Sequence, residues 1–373
     1  MDVTNRDPSF HLLCFATQGS GSNDEGRVRA LLERLEPALL PFDRRQKAAS
    51  FGRVVWRGLR ERPDLIVMEG TGMAGGLAVL VLRFLRDIPY VVSSGDAVAP
   101  FVRSLARALG PAAWLYERLL CSKSAGYIGW TPYLAGRAIT LGAPRAMTAA
   151  NWAPTDPIDR MPSDRRAVRA SLGIEETTIV FGIVGSLAWN KRRAYCYGLE
   201  LVRAATLADR ADVCVLVVGD GDGLSKLEGA KSASRTRTVL TGRVAREDVQ
   251  RYLAAMDVGS LPQSVDGVGS FRYTTKLSEY LSAQLPVVTG RLPFAYDLDD
   301  GWLWRLPGDA PWHSEYVDAL ARLMRTITRE MILERRGRVP TALAVFDKCR
   351  QQRGVESFIT EIIADAHSRA RIS

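Results

Sequence analysis

Short apolar runs alternate along the chain with longer segments in which apolar positions recur every three or four residues. The first spacing is that of buried strands and the second that of helices with one face on a core. Residues 11–17 predict a strand, 18–26 a loop of small residues, and 27–35 a helix. A second strand is predicted at 38–42. A strand–helix–strand unit follows, with a strand at 64–69, a glycine-bearing loop at 70–76, a helix to 86 and a strand at 90–93. Residues 103–120 read as a helix and 127–129 as a short strand. Segment 151–169, with Pro154, Pro157 and Pro162, reads as a linker. The alternation then restarts. Strands are predicted at 178–184, 213–218, 239–241, 258–261 and 285–288, with helices at 193–205, 246–256 and from 274. Late helices are predicted at 316–329 and 342–364. Strands alternating with helices imply parallel sheets covered on both faces. The expected fold class is α/β, two successive doubly wound units, with ligands at the carboxyl ends of the strands. The glycine-rich or charged loops 19–26, 70–76, 94–96, 185–191 and 219–223 all fall there.

Bulk properties narrow the partners. At 373 residues the chain exceeds one ordinary core. Its 47% hydrophobic and 24% charged content is that of a globular protein. The net charge of +9 is concentrated early, with 19 Lys/Arg against 13 Asp/Glu in residues 1–150. Such an excess favours phosphates or anionic lipid. Five scattered cysteines contain no C-x-x-C pair, which argues against a disulfide framework or zinc site and fits a reducing cytosol. The polar N-terminus does not read as a secretory signal, and the longest apolar stretch, 73–82, is about half of a membrane span. Any membrane contact is expected to be peripheral, on the inner face of the cytoplasmic membrane. Residues 44–62, basic with Phe51, Val54, Val55, Trp56 and Leu59 interleaved, read either as a helix lying on anionic lipid or as a surface helix facing the core. His11, His313 and His367 do not cluster in sequence, and His11 falls in a predicted buried strand.

The segment with the most chemical content is Thr274-Thr275-Lys276-Leu277-Ser278-Glu279-Tyr280-Leu281. A loop feeding a helix N-terminus offers unpaired N–H groups and a positive dipole end, which suit phosphate. Lys276 adds a charge, and Glu279, one turn later, can accept from sugar hydroxyls. The same residues also read as an amphipathic helix in which Leu277, Tyr280 and Leu281 pack and the charges face water. Gly185 through Lys191 ends a strand, where glycine admits a close backbone approach and Lys191 can neutralise a diphosphate. Its plain alternative is a solvated lysine at a helix start. Gly70-Thr-Gly-Met-Ala-Gly75 fits a dinucleotide fingerprint, with Asp96 as a distant acid. Asp220-Gly-Asp222 and Asp297-Leu-Asp299 match D-x-D, which fits turn chemistry as well as metal binding. Asp96 itself reads as an active-site residue or as the cap of the following helix.

Taken in order, Gly185 and Lys191, Val218-Gly219-Asp220-Gly221, Thr241-Gly242-Arg243-Val244, Met256-Asp257-Val258, the Lys276–Leu281 helix and Pro286-Val287-Val288 form a pattern. Residues 178–290 resemble the donor-binding domain of group-1 glycosyltransferases of the GT-B fold. The resemblance implies two Rossmann-like domains facing a central cleft: an acceptor-binding domain at 1–155, a nucleotide-sugar domain at 170–340, and a helix at 341–373 packing back on the first. It implies that Lys191 and the amides of Thr274, Thr275 and Lys276 hold a donor diphosphate, that Glu279 holds the ribose, and that Gly185, Gly219 and Val244 shape the pocket. The loop containing Gly21 would face the donor, and Asp96 would lie near the acceptor. Two positions depart from the family pattern. Ser186 replaces an arginine, for which Arg192, Arg193 or Arg272 are substitutes, and Phe271 replaces a first glutamate, with Asp266 the nearest acid.

The expected activity is therefore transfer of a sugar, with retention, from a UDP- or GDP-linked donor to a hydroxyl of a carbohydrate or lipid-linked acceptor, such as a cell-surface polysaccharide precursor. No metal, no other cofactor and no nucleic acid are expected, and an anionic membrane surface is a further expected partner. The alternatives are an NAD-dependent oxidoreductase using Gly70–Gly75 and a non-catalytic nucleotide-sugar-binding relative at a membrane.

Overall fold

The structure, a computed structural model, describes residues 10–152, 162–341 and 343–370. The chain divides into two compact units. Unit 1 comprises Met1–Asn151, Phe271–Tyr273 and Ala344–Ser373, and unit 2 comprises Trp152–Ser270 and Thr274–Leu343.

In unit 1, strands β1 (Leu12–Ala16), β2 (Ala38–Leu39), β3 (Leu65–Glu69), β4 (Tyr90–Ser94), β5 (Gly126–Gly129) and β6 (Ala146–Thr148) form a parallel sheet in the order β2-β1-β3-β4-β5-β6. In unit 2, β7 (Ile179–Val184), β8 (Val213–Val218), β9 (Arg237–Leu240), β10 (Val258–Leu261), β11 (Val287–Thr289) and β12 (Leu303–Arg305) form a second parallel sheet, in the order β12-β11-β10-β7-β8-β9. Every residue of β1, β3, β4, β7 and β8 is buried. Helices cover both faces, which explains why these strands read as unbroken apolar runs. Strand order reverses between β1 and β3 in unit 1 and between β7 and β10 in unit 2. These are the switch points at which doubly wound sheets leave a crevice.

Several element boundaries differ from the sequence reading. The first helix is Asn23–Leu31, starting inside the expected loop. Ser22 accepts from the Glu25 N–H, and the Glu25 carboxylate accepts from the Gly21 N–H at 2.7 Å, so one first-turn donor and the N–H of the residue before the cap are satisfied reciprocally. The segment expected as one helix at 103–120 is two, Val98–Leu105 and Gly110–Ser122, broken where Ala106 turns extended. The Glu117 carboxylate accepts from the N–H groups of Val98 and Ala99 and so caps the first of them; Asp96 does not. Part of the expected linker is a helix, Pro162–Ser171. It is held in unit 2 by Arg169, fully buried, which donates to Asp257 at 2.7 Å and to the carbonyls of Ala255, Glu175 and Thr178. Residues 153–161 of that linker lie outside the described residues. The helix expected at 193–205 is Leu199–Ala208, because Asn190 and Tyr195 close a turn and Gly198 adopts φ +91° before the helix begins. His11 is not buried: its side chain is 42% exposed and lies 3.5 Å from Glu61. His11 and His367 both reach Asp64, one through its backbone N–H and the other through its ring, so the two are neighbours in space. Strands β6 and β12 and the helices Pro132–Thr140 and Leu224–Ala230 were not visible in the apolar pattern.

The carboxyl end of the first sheet is joined by a buried ion pair. Arg27 donates to Glu69 at 2.7 Å, to Ser93 at 3.1 Å and to the carbonyl of Ala149, and the Trp130 indole donates to the other Glu69 oxygen at 3.0 Å. Both charged side chains are almost completely buried. Burial pushes Glu69 up to about 7 against the opposing pull of Arg27. Removing one partner of such a pair strands the other in an apolar interior, at a cost of about 3–5 kcal/mol. Arg27→Ala is thus expected to accelerate amide hydrogen exchange in β1, β3 and β4 while leaving β7 and β8 unaffected. Equal protection in both sheets would show that the pair does not carry the stability of unit 1.

Candidate functional site

The crevice of unit 2 opens after β7, and the loops around it are fitted backbone to backbone. Gly185 donates to the Val218 carbonyl at 2.9 Å, Gly219 to Gly242 at 3.1 Å, Leu187 to Asp220 at 3.0 Å and Gly223 to Leu187 at 2.9 Å. Gly219 has φ +144°, and a Cβ there would lie 1.9 Å from the Gly185 carbonyl oxygen, so no side chain fits. Gly185 has φ +150°, and a Cβ on it would lie 2.9 Å from Lys276 Nζ. The Lys276 ammonium thus rests directly on the bare backbone at the end of β7, 4.4 Å from the centre of the Tyr197 ring.

Lys276 lies in the first turn of the helix Thr275–Ser282. No side chain caps that turn, although Thr274 stands at the cap position in extended conformation. The Thr274 hydroxyl is buried and has no partner. The Leu277 N–H closes on the Thr274 carbonyl at 2.9 Å, and the N–H groups of Thr275 and Lys276 are left as an anion site. Glu279, one turn on, is half-buried. Burial pushes its carboxyl above the usual range, while Lys276 and Arg246 pull it down. Val244 is half-buried two residues beyond Gly242, the backbone partner of Gly219. Gly185, Gly219, Lys276, Thr274 and Glu279 are thus brought together in unit 2. Lys191 is less closely placed. It is exposed, in the turn closed by Asn190 and Tyr195, and does not begin a helix.

Two residues expected at the donor lie in unit 1. Arg272 belongs to the tripeptide that groups with unit 1, and there it donates to Asp96 at 2.6 Å, so each of these two candidates is the other's counter-ion. Gly21 has φ +76° and forms part of the capping arrangement of Asn23–Leu31. Phe271 packs against the core of unit 1, its carbonyl accepting from Thr131 at 2.8 Å and its ring lying 5.6 Å from the Arg137 guanidinium. Asp266 does not replace the missing glutamate. Burial raises its pKa, but the N–H groups of Gly269 and Val268, with Ser264 and Arg193, hold it below the usual range, and it organises its own loop.

The rival motifs are taken up by local structure. Gly72 donates to the Thr17 hydroxyl, a Cβ at Gly70 would lie 2.4 Å from that hydroxyl, and one at Gly76 would lie 1.9 Å from the Tyr116 oxygen. The glycines of 70–76 therefore admit Thr17 and Tyr116 side chains where a dinucleotide fingerprint would admit a pyrophosphate. Asp299 accepts from the N–H groups of Gly301, Trp302 and Leu303 and so serves a turn, and Asp222 accepts from that of Trp189 and so ties two loops together.

The sequence reading missed Tyr197, Arg246 and above all Glu200. Glu200 is buried at the start of Leu199–Ala208, where its carboxylate accepts from the Tyr195 hydroxyl at 2.8 Å, the Gly198 N–H at 3.1 Å and the Ser260 hydroxyl at 3.2 Å. It ties the loop carrying Lys191 to β10. An acid in a first turn is visible in sequence, but its burial is not.

Comparison with known proteins bears on the fold and the family. Residues 178–326 match the family described as glycosyl transferases group 1, and residues 8–152 match the glycosyl transferase 4-like domain. No curated protein matches the chain. Among solved structures, HepE from Anabaena in complex with UDP and glucose is 16% identical with a TM-score of 0.67, covering 94% of this chain and 100% of HepE. Sucrose-phosphate synthase from Thermosynechococcus elongatus is 13% identical with a TM-score of 0.68, covering 95% and 100%. A UDP-forming α,α-trehalose-phosphate synthase from Burkholderia xenovorans in complex with glucose-6-phosphate is 15% identical with a TM-score of 0.59, covering 90% and 81%. At these identities the structural likeness speaks for the fold alone. Two doubly wound units of this kind define the GT-B class. The chain belongs to the group-1 glycosyltransferase family.

The buried Glu200 generates a pH prediction. Burial raises its pKa from 4.5 to about 7, against the hydrogen bonds from Tyr195 and Ser260. The folded state therefore holds a proton that the unfolded state releases, and stability falls as pH rises from about 4.5 through about 7. In thermal unfolding of unit 2, wild type should lose Tm across that interval more steeply than Glu200→Gln, which cannot titrate. Parallel Tm profiles would mean that Glu200 stays ionised throughout.

Proposed function

We propose that this glycosyltransferase takes its sugar from a nucleoside-diphosphate donor, UDP-linked in the first instance, and places it on a hydroxyl of a carbohydrate or lipid-linked acceptor. One observation carries the donor reading: the Lys276 ammonium rests on the bare backbone of Gly185 at the head of an uncapped helix, beside an unpartnered Thr274 hydroxyl. Lysine, helix amides and hydroxyl are the groups a diphosphate needs. UDP bound to HepE supports uridine over other bases. Glu279 would accept from ribose hydroxyls.

In the proposed mechanism, negative charge grows on the departing diphosphate as the glycosidic bond breaks. Lys276, with Lys191 from its exposed turn, offsets that charge, and the first-turn amides offer fixed dipoles that need no reorganisation. No metal is required in this scheme, because the cations are side chains. The reaction is expected to retain anomeric configuration, and an NMR measurement of the first-formed product anomer tests that directly. Phe271, standing where a sugar-contacting acid would, favours a second reading in which the chain binds nucleotide-sugar without turning it over. Release of UDP from any UDP-sugar in the presence of an acceptor by the purified chain excludes it.

Calorimetric titration with UDP and GDP tests the site. Lys276→Ala should weaken UDP binding by about tenfold or more, as loss of a charge-assisted contact does, and Glu279→Ala should weaken UDP more than inorganic diphosphate. Unchanged affinities in both variants, with Tm intact, would remove this helix from the donor site.

A further inference from the structure

Three helices of unit 1 carry exposed apolar side chains. Leu77 and Phe84 on Met73–Arg86, Phe101 and Leu105 on Val98–Leu105, and Trp114 and Leu115 on Gly110–Ser122 are each 43% to 63% exposed. Leu77 and Phe84 are seven residues apart, and Phe101 and Leu105 four, so each pair lies on one helix face. The opposite face of the first helix, with Ala78, Val79 and Leu82, is buried in the core. The helices adjoin one another. The Tyr116 hydroxyl donates to Thr71 at 3.1 Å, Lys123 Nζ lies 5.9 Å from the Phe84 ring, and Val98–Leu105 packs on Gly110–Ser122.

The charge around this surface is predominantly basic. Residues 73–123 contain six Lys/Arg and three Asp/Glu. All three acids are engaged: Asp87 with Arg83, Asp96 with Arg272, and Glu117 with Arg137. Among the described residues, Arg86, Arg103, Arg107, Arg118 and Lys123 form no ion pair. Arg118 lies 5.3 Å from the Trp114 ring and Lys123 beside Phe84, so their stems run along the apolar surface with the charges at its edge. Arg103, Arg107 and Trp114 also line a pocket of about 460 Å³ with Ala99, Pro100 and Pro111. The helix Lys47–Glu61, the other candidate for lipid, is built differently. Its Phe51, Val54, Val55 and Leu59 pack on the core, only Trp56 is prominently exposed, and Arg57 pairs with Glu61.

We propose that this face is a membrane-docking surface for an anionic bilayer: the Leu, Phe and Trp side chains enter the acyl boundary, and the Arg103/Arg107 pocket takes a lipid phosphate. Apolar residues ringed by cations match a bilayer with anionic headgroups. A symmetric contact with a second copy would instead bring the same cations against one another. No described helix is long and apolar enough to cross a membrane, so the contact is peripheral.

Flotation of the full chain with phosphatidylcholine vesicles, with and without phosphatidylglycerol, tests this. Wild type should bind the phosphatidylglycerol vesicles, and less so as salt rises. The triple variant Phe84→Ser/Leu105→Ser/Leu115→Ser should bind at least about tenfold more weakly, with Tm preserved because these side chains are exposed. Arg103→Gln/Arg107→Gln should lose roughly tenfold or more of the preference for phosphatidylglycerol. Trp56→Ser should bind as wild type does. The docking surface is overturned if wild type ignores both vesicles, if neither multiple variant differs from it, or if Trp56→Ser is the change that abolishes binding. It is equally overturned if wild type sediments as a dimer that the triple variant dissolves, since the face would then join two copies. Vesicle binding is read without nucleotide, so its failure leaves the donor site standing, and loss of UDP affinity in Lys276→Ala says nothing about the membrane.

Discussion

Parallel strand pairing is the constraint from which the rest follows. Parallel strands cannot be joined by tight turns, so each must be followed by a crossover, and the crossovers bring the strands' carboxyl ends to a single edge. In unit 2 that edge gathers the loops after β7, β8 and β9, and their glycines let backbones meet where side chains would collide, as Gly219 does against Gly185. The edge also concentrates polar backbone groups at the rim of an apolar sheet. Buried charges answer that problem in both units. Arg27 and Glu69 join strands β3 and β4 to the segments after β5 and β6. At the opposite, amino edge of unit 2, Asp257 accepts from Arg169 and from the Val180 N–H, fixing the start of β7 and the helix that precedes it. Glu200 does the same for the loop leading out of β7.

These hubs explain why unit 2 offers a site and the corresponding place in unit 1 does not. At the end of β7 the bare backbone of Gly185 leaves room that the Lys276 side chain enters, and no side chain caps the helix behind it. At the end of β3 the comparable glycines are filled by Thr17 and Tyr116, and the acid there is already paired with Arg27. The same glycine-after-strand signature thus encodes a ligand cradle in one unit and close packing in the other.

Much of the architecture was legible because buried parallel strands announce themselves as apolar runs. β8 and β10 begin and end where the pattern places them. Strands at the sheet edges were harder. β6 and β12 are three residues each, too short to show a period. Helix starts were misplaced where capping decided them. Ser22 and Glu25 move one start forward, and the Asn190–Tyr195 turn moves another back, taking Lys191 away from the helix it was expected to begin. The chemistry of the Lys276–Glu279 segment was legible from lysine, glutamate and helix-start spacing.

By itself, then, the sequence determined the two doubly wound units, the family pattern over residues 178–290 and the helix carrying Lys276 and Glu279, because periodicity and short-range spacing are local properties. Tertiary structure alone decided which charges meet. Asp96 and Arg272 lie 176 residues apart and became partners to each other. Arg169, read as part of a linker, became a buried anchor. The apolar positions of residues 73–122 resembled core until folding divided them, some facing the sheet and some facing outward. A side chain's chemistry is written in its own residue, but its burial and its counter-ion are supplied by distant parts of the chain.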